Sequence, residues 1–176
     1  MSFLLNHIAL TLKSIRKEKG WSLDRTAQET GISKAMLGQI EREESNPTVL
    51  TLWKIAMGFH TSLSQFIPLE PGNDGTMQHE DETVSVKNIK PYCDVLGYEI
   101  LKITLKANSI HSSCAHDKGV VEDILPLKDS VSISINGEIK DVAAGECLRF
   151  NADQEHTYIN RHQADVEFYN IIHYPS

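Results

Sequence analysis

The sequence has no apolar run long enough to cross a membrane. Its longest such stretch in the first third, Val49 to Phe59, is interrupted by Lys54, whereas a spanning helix needs about 20 residues. The first residues, Met-Ser-Phe-Leu-Leu-Asn-His, have neither a basic segment nor an apolar segment of signal-peptide length. Nothing in them argues for export, and a cytoplasmic protein is expected. Cysteine is scarce: Cys93, Cys114 and Cys147 are odd in number and follow no disulfide-framework spacing. This agrees with a reducing compartment and leaves the thiols free for packing or metal. Nor does either sign of charge dominate enough for a disordered tail, since 24 acidic residues face 17 basic ones in a chain that is 40% hydrophobic. A length of 176 residues suits one domain or two small ones.

The charge is unevenly distributed. Residues 1–69 carry eight basic and six acidic side chains, net +2, and residues 70–176 carry nine and eighteen, net −9. All three cysteines and six of the eight histidines lie in the second part, so candidate metal ligands are segregated from the basic part. Between them, Pro68-Leu69-Glu70-Pro71-Gly72-Asn73-Asp74-Gly75 concentrates chain breakers. Residues 1–69 are therefore expected to form a head, 70–82 a linker, and 83–176 a second domain.

The head reads as helical. Ile8, Leu12 and Ile15 recur at helical spacing before Gly20, predicting a first helix over roughly 4–19. Ser22 caps a short second helix ended by Gly31, and Ser33 caps a third from Lys34 to about Arg42. In that third helix Leu37 and Ile40 share one face, while Lys34, Ala35, Gly38 and Gln39 lie on others. Thr48 caps a fourth helix bearing Leu52, Ile55 and Ala56, and Ser62 opens a last turn. Trp21, Trp53, Phe59 and Phe66 read as core of this bundle. Two helices joined by a tight glycine turn, the second with a small polar face, can set a helix N-terminus into a major groove.

The run Ser22-Leu-Asp-Arg-Thr-Ala27-Gln-Glu-Thr-Gly31-Ile-Ser33-Lys-Ala-Met-Leu37-Gly-Gln-Ile40-Glu41-Arg, followed by Asn46-Pro47-Thr48, resembles the lambda-repressor-like (XRE) helix-turn-helix family. That resemblance covers about residues 6–67. It implies base reading by Lys34, Ala35, Gly38 and Gln39, with Ser33 near a phosphate. Gln39 suits adenine and Lys34 suits guanine. Lys13, Arg16, Lys17, Arg25 and Arg42 are the candidate phosphate contacts. A net charge of +2 would not by itself suggest DNA; the motif does.

Beyond residue 82 the period becomes two. Val84-Ser85-Val86 and Val131-Ser132-Ile133-Ser134-Ile135 alternate, and Asn136-Gly137 is a hairpin signal. Further strands are predicted at Tyr98 to Leu105, Glu122 to Leu127, Cys147 to Phe150, His156 to Ile159 and Val166 to His173, which implies an all-β sandwich or barrel. The run from Gly145 through Asn151 and Asp153 to His156 and Asn160 resembles the second motif of the cupin family, and Cys114-Ala115-His116 followed by Glu122 resembles the first, with Cys114 standing where the family has histidine. The resemblance covers about residues 95–174 and implies a double-stranded β-helix, or jelly-roll, barrel.

The cupin positions make Cys114, His116, Glu122 and His156 the candidate metal ligands. Cys114 and His116, two apart on a strand, would share a face. The mixed set suits zinc first, with nickel or iron as alternatives. Arg149 and Tyr158 are candidate pocket residues that orient a ligand. Cys147 and Cys93 are assigned to packing, and His111 to an exposed loop.

A helix-turn-helix head joined to a cupin resembles a class of bacterial transcription regulators in which the cupin is a sensor. The expectation is a sequence-specific, non-enzymatic regulator of a double-stranded DNA operator, acting as a homodimer and controlled by a small effector such as an amino acid or carboxylate. Alternatives are a metal-dependent cupin enzyme fused to a DNA-binding head, and an antitoxin-like repressor with a protein partner.

Overall fold

The computed structural model describes residues 3–69, 76–78 and 83–175. The expected linker, 70–82, thus lies outside the described residues except at 76–78. Four helices come first: α1 (Phe3–Glu18), α2 (Leu23–Thr30), α3 (Lys34–Glu41) and α4 (Val49–Phe59), then a 3-10 turn, Leu63–Gln65. Each predicted cap is made. The hydroxyls of Ser22, Ser33 and Thr48 accept from the amides of Arg25, Met36 and Thr51 at 3.1, 3.2 and 3.1 Å, satisfying N–H groups that the first helical turn leaves without partners. Ile8, Leu12, Leu37, Ile40, Leu52 and Ile55 are buried on the facing sides. Helices α2 and α4 touch so closely at Gly58 that a Cβ there would lie 2.7 Å from Glu29 O and Thr30 Cα.

Among the described residues ten strands follow: β1 (Thr76–Gln78), β2 (Val84–Cys93), β3 (Tyr98–Leu105), β4 (Ile110–Ser113), β5 (Val121–Pro126), β6 (Val131–Ile135), β7 (Glu138–Val142), β8 (Leu148–Asn151), β9 (His156–Ile159) and β10 (Val166–His173). They make a six-stranded sheet, β1-β2-β3-β10-β5-β8, and a four-stranded sheet, β4-β9-β6-β7. All pairs are antiparallel. The β6–β7 hairpin turns on Asn136 and Gly137, both at positive φ, the combination that a two-residue turn matching strand twist requires. The strand expected to carry Cys114 and His116 lies earlier in the chain, as β4. It is only four residues long and its exposed positions carry Ile110 and Ser112, so its period of two is masked.

The head and the barrel share one buried apolar cluster. The seam between them is hydrogen-bonded as well as apolar: Ser64 N donates to Glu99 Oε2 at 2.9 Å, Tyr92 N to Ser64 Oγ at 2.9 Å, and Asn88 Nδ2 to Ile67 O at 3.0 Å. Trp53, expected in the head's own core, instead stacks edge-on against His116 of the barrel, ring centroids 4.9 Å apart.

Candidate functional site

Register determines which side chains enter the barrel. Residues directly opposite in an antiparallel pair point to the same side. Glu122 lies opposite Phe150, and Tyr158 opposite both His111 and Ile133; all five are buried. Asp123 lies opposite Arg149 and shares the other face. His116 stands in the loop between β4 and β5, held by its amide, which donates to Ala152 O at 2.8 Å.

His116, Glu122 and His156 offer ligand atoms that all lie within 4.8 Å of one another. Glu122 Oε1 is 2.7 Å from His116 Nε2 and 3.6 Å from His156 Nε2, with these side chains at most 1% exposed. Close as they are, His116 Nε2, Glu122 Oε1 and His156 Nε2 have no hydrogen-bond partner. Partners on the far side of each group explain why, and for His116 the partner is Met57 Sδ, 3.1 Å from Nδ1. His156 Nδ1 is 2.9 Å from Gln154 O and so carries the hydrogen, which leaves Nε2 a lone pair. Glu122 Oε2 accepts from Tyr158 Oη and, at 2.9 Å, from Asn170 Nδ2, so Oε1 is the oxygen turned to the histidines. Three buried acceptors facing one point repel one another unless a cation stands among them. Their chemistry, two imidazoles and a carboxylate, is that of a divalent transition-metal site.

Burial pushes the Glu122 carboxyl up, but the imidazoles beside it, His116 ahead of His156, and the Tyr158 hydroxyl outweigh it and bring it down to about 2. It is a carboxylate at neutral pH. Burial, then the Glu122 charge, raise the Tyr158 phenol well above its ordinary range, so Tyr158 remains a hydrogen donor to that carboxylate. Beside the cluster, a cavity of about 10 Å³ is bounded by Val49, Trp53, Val84, Val86, Ile103, His111, Ser113, Tyr158 and Asn170, room for about one water.

On the head, α3 exposes Lys34, Ala35, Met36 and Gln39 at or near its N-terminal end, behind exposed Ser33. Lys34 makes a 2.8 Å ion pair with Asp24 in which both side chains are more than half exposed, a contact weak enough to yield to a base edge. Lys13 and Lys17 on α1 are exposed. Arg25 is exposed, pairs with Glu29 and lies 6.0 Å over the Trp21 ring, and Arg42 pairs with Glu44 at 2.7 Å.

Residues 12–66 match the helix-turn-helix family HTH_3. Over 176 residues, 99% of each chain, the protein is 39% identical to the HTH-type transcriptional regulator SutR of Escherichia coli (strain K12). The chain belongs to the XRE-family helix-turn-helix transcriptional regulators. An HTH_3 family transcriptional regulator from Vibrio cholerae, 39% identical, aligns over 98% of both chains with a TM-score of 0.87. The Cupin_2 domain of an XRE family transcriptional regulator from Enterobacter cloacae aligns over 53% of this chain and 99% of its own, with 28% identity and a TM-score of 0.52. The regulator's second half is thus a cupin-like barrel.

Several residues stand elsewhere in the regulator than expected. Cys114 does not join the cluster: β4 ends at Ser113, so strand alternation does not carry through to His116, and Cys114 lines a cleft with Glu29, Lys54, Met57, His60 and Asp117. Arg149 lies on the outer face, bidentate to Asp123 at 2.7 and 2.6 Å. Cys147 is exposed because it precedes β8. Gly38 is buried, and a Cβ there would lie 3.1 Å from an Arg42 guanidinium nitrogen and 3.8 Å from Leu23. Arg16 is tied up by Glu41 at 2.5 and 2.9 Å and by Trp21 O at 3.0 Å, a contact within the head and not an outward one. His111, read as an exposed loop residue within reach of a pocket rim, is a buried β4 residue of the barrel interior. Asn170 was missed entirely, and only its place among alternating residues of β10 could have marked it.

Proposed function

We propose that this transcriptional regulator is a sensor whose DNA binding is set by a small ligand reaching a metal held by His116, Glu122 and His156. The observation that carries this reading is the convergence of three buried acceptor atoms, each without a hydrogen-bond partner. Zinc is the first expectation, with nickel and iron(II) as alternatives that the same nitrogen and oxygen donors accept. When bound, the metal supplies a Lewis acid with open positions for a carboxylate or amino-acid effector. Tyr158 and Asn170 fix the Glu122 carboxylate from behind, so its free oxygen stays aimed at the ion. A receptor role is favoured over catalysis because the wall beside the cluster includes Val49 and Trp53 of the DNA-binding head, so a change at the cluster is felt directly by the reading half.

On the DNA side, one α3 reads one half-site. Two copies would be needed for a symmetric operator, with heads about 34–36 Å apart. A homodimer acting in the cytoplasm is therefore part of this proposal; among the described residues no helix is long and apolar enough to cross a membrane.

The test is metal content per chain after purification without tag or chelator. About one equivalent, lost in His116→Ala and His156→Ala, supports the reading. No bound metal, and no uptake of zinc, nickel or iron, overturns it.

A further inference from the structure

Helix α4 belongs to the head by sequence yet touches the barrel's metal cluster. Met57 Sδ lies 3.1 Å from His116 Nδ1, and Trp53 meets the same imidazole edge-on. A thioether sulfur accepts weakly and has nothing to donate, so this contact needs the hydrogen on Nδ1. The lone pair then sits on Nε2, the atom aimed at Glu122. His156 reaches the same state differently, through a main-chain carbonyl of the barrel, Gln154 O at 2.9 Å. One histidine is thus oriented from within the barrel and the other from the DNA-binding head.

We propose that Met57 is a positioning residue of the barrel's metal centre, so that the seating of α4 and the affinity for metal are coupled. The proposal rests on reading the cluster as a metal site. A ligating histidine depends on its outer partner for ring orientation and basicity. Here that partner is a weak acceptor on an element of the other half of the molecule. Metal binding therefore favours the seated α4, and whatever draws α4 away weakens metal binding by the same factor. Movement of α4 cannot be absorbed locally. Its Gly58 sits against the backbone of Glu29 and Thr30 with no space for even a methyl group, so α2, the helix preceding the reading helix, must follow.

The experiment uses full-length Met57→Leu and Met57→Gln, with zinc as the probe. Zinc affinity is measured by competition with a chromophoric chelator, and α4 amide hydrogen exchange is followed with and without zinc. Leucine keeps the volume but removes the acceptor, and should weaken zinc binding roughly tenfold. Glutamine restores an acceptor for Nδ1–H and should recover the wild-type affinity. Zinc should slow α4 exchange in the wild type and not in Met57→Leu. Equal affinity in the wild type and Met57→Leu, or equal losses in both variants, overturns the coupling and leaves the metal centre standing. Failure of the wild type to bind zinc overturns both.

Discussion

The backbone amide of Ser64 donates to Glu99 Oε2 at 2.9 Å, so a carboxylate of β3 with no solvent exposure holds the 3-10 turn that ends the head. Tyr174 donates its hydroxyl to the other oxygen. Burial raises Glu99 above its ordinary 4.5, and the Ser64 and Tyr174 hydrogen bonds oppose this without cancelling it. Between 4.5 and that raised value the folded chain holds a proton that the unfolded chain has lost. Stability should fall as pH rises through this window and level off above it. Glu99→Gln should flatten the dependence there, read by urea unfolding at about pH 4 to 8. Glu99→Ala should cost about 2–4 kcal/mol, because two buried donors lose their acceptor.

Arg16 and Glu41 should behave as a structural pair. Their side chains are 15% and 9% exposed, so Arg16→Ala leaves a largely buried carboxylate alone and should lower stability by about 2–3 kcal/mol in thermal or denaturant melts.

Lys17 and Gln39 should separate by the opposite criterion. Both are exposed, and replacing either by Ala should leave melting unchanged. In DNA titrations over a salt series, Lys17→Ala should weaken all sites and reduce the salt slope by about one. Gln39→Ala should relax selectivity at one base position, a loss of about 1–3 kcal/mol. A reversed pattern would mean that α3 is not the reading helix.

The legible parts of this molecule are those where one local rule decides. The helix starts at Ser22, Ser33 and Thr48 follow from side-chain caps, and the hairpin strand Val131–Ile135 from strict alternation ahead of Asn136-Gly137. His116, Glu122 and His156 were readable from motif spacing, and Tyr158 from its parity with His156. Cys114 and Arg149 were not, because a side chain's direction depends on where a strand ends and on register against a partner distant in sequence. Trp53 and Met57 were beyond reach for a related reason. Helical period says which face is apolar, but not that part of this face covers a different domain.

Metal should stabilise the folded chain by mass action. Zinc at about 100 times its dissociation constant should add about 2.7 kcal/mol, raising the melting temperature. Chelator should reverse the shift, and His156→Ala should show neither effect. An equal shift in His156→Ala would mean that zinc acts elsewhere.

Gly58→Ala tests the contact between α2 and α4. The added methyl would meet main-chain atoms that cannot rotate aside, so a loss of about 1–3 kcal/mol is expected. Calorimetry reads the loss. A neutral result would show that the two helices separate freely.

The shared core also limits how such regulators can be recombined. Val49 and Trp53 help enclose the barrel cavity and Met57 abuts His116, so a reading head transplanted from another regulator brings its own lid to a barrel shaped for this one. A chimera that exchanges residues 1–48 and keeps the native α4 preserves that fit, whereas a cut at the apparent boundary near residue 69 breaks it. Because Gly58 of α4 also sits against the backbone of Glu29 and Thr30 in α2, α4 is fitted on both sides, and a new DNA specificity is reached with least disturbance through the exposed residues of α3.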